Sequence, residues 1–215
     1  MYVKDRMNRN VISVFPDASI SLAFQLMKEQ GYSHLPVVKN GKLVGMITEN
    51  LLTEVSPSKA TTLSMYELNY LLSKTKVADI MNEEVITVQP EMIIEEAATL
   101  LRDKMVDALP VIDEHSQLLG ILTRTDIIDA FIKLMGINEP GTRIVLEVKD
   151  EAGALAEILG IIKSYGLSIS HISSFNLNMD DENQEIIMRL NTLEVDDLLN
   201  TLQTKGYKIL SVQKK

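Results

Sequence analysis

The chain of 215 residues contains no cysteine, which excludes disulfides, thiol nucleophiles and cysteine-ligated zinc and is compatible with a reducing compartment. Histidine is scarce as well. His34, His115 and His171 have no spacing that resembles a set of metal ligands. Positive charge is in deficit: 21 Lys and Arg stand against 30 Asp and Glu, for a formal net charge of -9. A polyanion therefore meets a repulsive field, and no nucleic-acid partner is expected. No apolar run approaches the roughly 20 residues that span a bilayer, and the opening MYVKDRMNRN lacks the apolar core of a secretion signal. A membrane is not an expected partner, and the expected compartment is the cytoplasm. Catalytic signatures are missing too, with no Gly-rich phosphate loop, no G-x-S-x-G and no H-E-x-x-H. Enzymatic activity is not expected, and no cofactor is required.

The chain does hold a repeat. VKDRMNRNVISVFP (3–16) aligns with VADIMNEEVITVQP (77–90), so that Val3 falls on Val77 and Pro16 on Pro90. The same displacement puts Ala23 on Ala97, Leu26 on Leu100, and Leu35-Pro36-Val37 on Leu109-Pro110-Val111. With one added residue in the following turn, Leu43, Gly45 and Thr48 fall on Leu118, Gly120 and Thr123. A period of this length signals two copies of one supersecondary unit.

Each copy predicts a short β segment (Val11 to Val14; Val85 to Val88), a Pro-marked turn and an amphipathic helix. The apolar stripe of that helix is Ile20, Ala23, Phe24 and Met27 in one copy and Ile94, Ala97, Ala98 and Leu101 in the other, spaced i, i+3, i+4, i+7. Two strands follow, Leu35 to Val38 with Leu43 to Thr48, and Leu109 to Ile112 with Leu118 to Thr123. A second helix starts near Glu49 or Arg124. Between the copies, Ser56-Pro57-Ser58 marks a turn, and Ser64 with Glu67 forms a capping box for a linker helix carrying Leu68, Leu71 and Leu72.

The pattern changes after the turn-rich stretch 136–141 (GINEPG). From Thr142 the chain predicts a strand (RIVLEVK), a helix with Leu155, Ile158, Leu159 and Ile162 on one face, a strand from Ser168 to Met179, the polar turn DDEN, and a strand (EIIMRL). A helix with Val195, Leu198, Leu199 and Leu202 and a last strand (KILSV) complete it, with Gly166 and Gly206 as helix stops. The order βαββαβ implies an antiparallel sheet with both helices on one face. The expected class is α+β, divided as 1–55, a linker helix over 56–74, 75–136, and 142–215.

The two copies close differently: GMITENLL carries Leu51 where GILTRTDII carries Asp126. An acid in the first turn of a helix is favoured by the dipole alone, Thr123 reads as a strand-end hydroxyl, and Arg124 reads as a solvated charge. The doubled unit, with its closing G-h-h-T-x-x-D-h (h apolar), nevertheless resembles a pair of CBS domains. The C-terminal segment, with DEAGAL (150–155) and GLSI (166–169), is similar to an ACT domain, a ferredoxin-like effector-binding module. The order of modules resembles the acetoin-utilisation regulatory family of bacilli.

That resemblance implies a regulatory protein that senses an adenosine-containing ligand (AMP, ADP, ATP or S-adenosylmethionine) and is linked to acetoin catabolism. Asp126 would take the ribose hydroxyls with Thr123 and Thr125 beside it, since a carboxylate suits a vicinal diol. Val85, Ile86, Asp107 and Ala108 would line the adenine, and Arg124 and His34 would be phosphate candidates. An ACT effector would meet Asp150, Gly153, Ala154, Leu155 and Ser168. The segment departs from the ACT pattern in carrying Ala152 for the usual Pro, and Asp150 and Ser168 for the usual Asn residues. The resemblance also implies a homodimer and a partner enzyme. The alternative is a ligand-free dimeric scaffold.

Overall fold

The computed structural model describes residues 1–55, 70, 72–176 and 182–215. The expected turn at Ser56, the capping pair Ser64 and Glu67, and the helix residues Leu68 and Leu71 lie outside the described residues, as does the start of the DDEN turn. The chain divides into two compact units, Met1–Ile128 and Asp129–Lys215. The turn-rich stretch ahead of Thr142 belongs with the second unit: the Glu139 carbonyl accepts from Arg189 and the Ile137 carbonyl from Lys215. Among the described residues no helix is long and apolar enough to cross a membrane.

Each copy supplies a helix, an antiparallel hairpin and a second helix. These are α1 (Ile20–Gln30), β1 (His34–Lys39), β2 (Lys42–Thr48) and α2 (Glu49–Val55), then α3 (Ile94–Asp103), β3 (Ala108–Ile112), β4 (Leu118–Thr123) and α4 (Arg124–Leu134). Ser19 caps α1 by accepting the Leu22 N–H at 3.2 Å, and Gly31 ends it in the left-handed region. The inward faces are those the periodicity predicts. Ile20, Ala23 and Met27 are buried on α1, and Ile94, Ala97 and Leu101 on α3, with Phe24 and Ala98 partly buried.

The first segment of each copy packs on the other copy. The Val77 N–H donates to the Ala18 carbonyl at 2.8 Å, and Asn82 and Met46 exchange backbone hydrogen bonds at 2.9 Å. Reciprocally, the Val3 N–H donates to the Met92 carbonyl at 2.9 Å, and Asn8 exchanges bonds with Ile121 at 2.9 and 3.0 Å. Val77 is fully buried within the core of the first copy, a burial that contributes roughly 1.5–3 kcal/mol. Gly45 and Gly120 permit this exchange. A Cβ on Gly45 would lie 2.7 Å from Met81 Sδ, and one on Gly120 would lie 2.6 Å from Met7 Sδ.

The β segments expected over Val11–Val14 and Val85–Val88 reduce to single parallel bridges, Val14 to Val37 and Val88 to Val111. Proline explains the difference. Extending the first ladder would need an N–H from Pro36 in one direction and from Pro16 in the other, and neither has one. Pro110 and Pro90 impose the same limit on the second copy.

The second unit contains β5 (Thr142–Lys149), α5 (Ala154–Ser164), β6 (Ile169–Phe175), β7 (Asn183–Leu190), α6 (Asp196–Thr204) and β8 (Lys208–Lys214). Its antiparallel sheet runs β6-β7-β5-β8. Ile158, Ile161 and Ile162 of α5 and Leu198 and Leu202 of α6 pack on Ile144, Leu146, Ile186 and Met188 in one core, so both helices cover one face. The buried face of α5 is turned from the expected one. Ile161 is inside, whereas Leu155 and Leu159 are each 38% exposed.

Candidate functional site

The exchange of first segments builds two equivalent clefts in the first unit. One, of about 450 Å³, combines Asn8, Val11, Ile12 and His34 of the first copy with Asp107 and the Thr123–Asp126 turn of the second. The other, of about 410 Å³, combines Asn82, Val85, Ile86 and Ala108 of the second copy with Thr48, Asn50 and Leu51 of the first. Both volumes suit a small organic ligand. Asp107 and His34 line both clefts.

Thr123 and Asp126 form a reciprocal cap on α4. The Thr123 hydroxyl accepts the Asp126 N–H at 3.3 Å, while Asp126 Oδ2 accepts both the Thr123 N–H and the Thr123 hydroxyl at 2.7 Å. The first-turn structural role of this acid is therefore real. It occupies one carboxylate oxygen only, since Asp126 Oδ1 has no hydrogen bond among the described residues. An ionised oxygen with two lone pairs beside a cleft can receive hydroxyl donors. In the other cleft the Thr48 hydroxyl accepts the Leu51 N–H at 3.3 Å, and the leucine side chain returns nothing.

Arg124 is held at three points by one short segment. Its Nη1 lies 2.7 Å from Asp107 Oδ1, its Nε donates to the Val106 carbonyl at 3.1 Å, and its backbone N–H donates to the Asp107 carbonyl at 3.1 Å. The two side chains are about half exposed, at 51% and 53%, so the pair contributes about 0.2–1 kcal/mol to stability. Its greater effect is to orient the guanidinium. His34 accepts from or donates to the Ser33 hydroxyl at 2.9 Å, and burial holds its pKa below the ordinary imidazole value, with Asp107 pulling it up and Arg124 pushing it down.

Of the residues singled out by sequence, Thr123, Arg124, Thr125, Asp126, Asp107 and His34 line one cleft. Val85, Ile86 and Ala108, grouped with them on sequence, line the Leu51 cleft instead. Their counterparts Val11 and Ile12 stand beside Asp126, because each first segment crosses to the other copy. Asn8, Asn10, Tyr32 and Ser33 also line the Asp126 cleft and were not anticipated. For Asn8 a signal was present in Gly120, where a Cβ would lie 3.0 Å from the Asn8 carbonyl oxygen, so that the glycine marks where this backbone must approach.

In the second unit, Gly153 (φ 96°) leads into α5 beside Ala154 and Leu155. The Asp150 carboxylate accepts from Asn176 at 3.1 Å and Gln184 at 3.2 Å. Ser168 is not brought to this group. Its carbonyl accepts from Asn191, just past the end of β7, while Lys149 pairs with Asn183 at the start of β7; a strand of that length spans about 24 Å.

The CBS-domain family model matches residues 3–56 and 77–133, just over half of the chain. An uncharacterized protein of Methanocaldococcus jannaschii, MJ1426, is 33% identical over 61% of this chain and 92% of its own. Among solved structures, one from Vibrio cholerae, provisionally named as an acetoin utilization protein, is 25% identical with a TM-score of 0.54 and covers 65% of this chain and 96% of that one. The protein CBSX2 of Arabidopsis thaliana, solved in complex with AMP, is 31% identical with a TM-score of 0.52, over 61% of this chain and 96% of that one. The CBS domain pair of protein MJ0100, solved with 5'-methylthioadenosine and S-adenosyl-L-methionine, is 26% identical with a TM-score of 0.50, over 61% of this chain and 95% of that one.

Proposed function

The chain belongs to the CBS-domain family, and from that premise we propose that it is a non-enzymatic regulatory protein of the cytoplasm that senses an adenosine-containing ligand in the Asp126 cleft. The observation that carries the reading is the divided carboxylate of Asp126. Oδ2 holds the start of α4 while Oδ1 is left over beside a cleft of ligand size. The ribose diol is the ligand group that fits it, and Thr125 adds a second hydroxyl to the same wall. The adenosine ligands of CBSX2 and MJ0100 support this choice.

The second unit acts in this reading as an ACT domain. Its support is the βαββαβ order with the sheet β6-β7-β5-β8 and the Gly153 turn ahead of α5. Asp150 is already bonded to Asn176 and Gln184, and Ser168 lies at the far end of the sheet, so a metabolite site there would centre on Gly153, Ala154 and Leu155. Ligand binding works by linkage. A ligand that prefers one arrangement of the chain raises its population and thereby changes the contact with a second copy or with a partner enzyme. The likeness to the Vibrio cholerae protein supports a role in acetoin catabolism.

Calorimetric titration of the whole chain with AMP, ADP, ATP and S-adenosylmethionine, repeated on Asp126→Ala, tests the reading. One ligand binding near one equivalent per chain, with a loss of about one to two decades in the variant, is the expected result. No heat from any of the four at millimolar concentration would leave the dimeric scaffold as the better account.

A further inference from the structure

We propose that Asp107 is a specificity-determining residue of the Asp126 cleft: by pairing with Arg124 it cancels the cleft's one fixed positive charge, so that the cleft selects adenosine ligands bearing no more than one phosphate. This rests on the reading of the cleft as an adenosine site and names the ligand class within it.

Charge and geometry carry the argument. Among the described residues, the only ones lining the cleft that can bear positive charge are Arg124 and His34, whereas Asp107 and Asp126 are both acids. Burial favours the uncharged form of His34, which makes it a hydrogen-bonding group more than a counter-charge at neutral pH. The lining thus sums to one positive and two negative groups within a chain of net charge -9. Each phosphate added to a ligand brings further negative charge into that field. Arg124 is also fixed in place, with Nη1 at 2.7 Å from Asp107 and Nε on the Val106 carbonyl. A guanidinium has five N–H donors. Those not engaged by Asp107 and Val106 can serve one phosphate, and among the described residues no second fixed cation lines the cleft for the next.

The test is titration of the wild type, Asp107→Asn, Arg124→Gln and the double variant with adenosine, AMP and ATP in magnesium-free buffer. The wild type is expected to bind AMP at least tenfold more tightly than ATP. Asp107→Asn is expected to raise the ratio of ATP to adenosine affinity at least tenfold, and Arg124→Gln added to it is expected to remove that gain. Wild-type ATP binding as tight as AMP binding would overturn the proposal, and so would an Asp107→Asn variant that changes all three ligands by one factor, the mark of a merely structural residue. Failure of adenosine, AMP and ATP alike to bind the wild type would overturn the adenosine reading itself, an outcome distinct from binding without discrimination.

Discussion

Thr123 and Thr48 occupy the same place in the two copies, each just ahead of a helix, and each hydroxyl accepts the N–H three residues on at 3.3 Å. Beyond that bond the two clefts part. Asp126 returns a carboxylate to Thr123, whereas Leu51 presents an apolar side chain. Gly31 lines the Asp126 cleft at φ 70°, whereas Met105 holds the matching place in the other cleft at φ 52° and is 83% exposed. The backbone exchange that forms both clefts is nearly identical, so the repeat preserves the frame while individual side chains set the chemistry. Cores and crossing segments tolerate little change because each copy completes the other. The cleft linings are free of that constraint and answer to local helix ends.

That contrast can be broken or sharpened in graded steps. The fully buried pair Leu35 and Leu109 should behave alike. Truncation of either to Ala is expected to lower the unfolding free energy by about 2–5 kcal/mol in urea titrations, and a much smaller loss at one of them would mean that the copies do not depend on each other. Asp126→Ala should weaken adenosine-ligand binding by about 1.5–3 kcal/mol, whereas Leu51→Ala should leave that ligand's affinity as it was. Calorimetry separates the two.

The left-handed positions give a smaller, opposite pair of effects. Gly31→Ala meets no atom within 4 Å, so its expected cost of about 1–2 kcal/mol is purely conformational, and Met105→Gly should gain about 1 kcal/mol by relieving the same strain. Thermal unfolding of both variants checks the signs. Leu51→Asp restores the missing half of the cap and should add about 0.5–1 kcal/mol, together with a second equivalent of bound adenosine ligand if the ribose reading is right.

The smallest effect is on pH. The folded-state pKa of His34 lies below its unfolded value. The unfolded chain therefore takes up the proton first, and the stability this residue contributes is present above the ordinary imidazole pKa and lost as pH falls through the folded one. Between pH 7.5 and pH 5.5 the urea midpoint of the wild type should drop further than that of His34→Gln. An equal drop in the two would place the pH dependence elsewhere.

Much of this was legible in the order of residues. The repeat placed the hairpins and the helices after them, the 3.6-residue period selected the buried faces of α1 and α3, and Gly166 and Gly206 marked helix ends. On α5 the period alone does not select the buried edge, because Leu155 and Leu159 fit the same stripe as Ile158 and Ile162 and only the sheet decides which edge of the stripe it covers. Pro16 and Pro90 mark turns and Pro36 and Pro110 fall inside expected strands, and the missing N–H groups of all four cut the parallel ladders to single bridges.

The sequence by itself determined the two-copy frame, the α+β class and the inequality of Asp126 and Leu51, because these follow from local periodicity and from residue identity at matched positions. Only the tertiary structure decided which residues share a cleft. Val11 and Ile12 stand with Asp126, and Val85 and Ile86 with Leu51, because the first segment of each copy crosses to the other over Gly45 and Gly120. Pairing between segments far apart in the chain leaves no period to read. It is settled by backbone hydrogen bonds and buried apolar contacts that exist only once both copies have folded together.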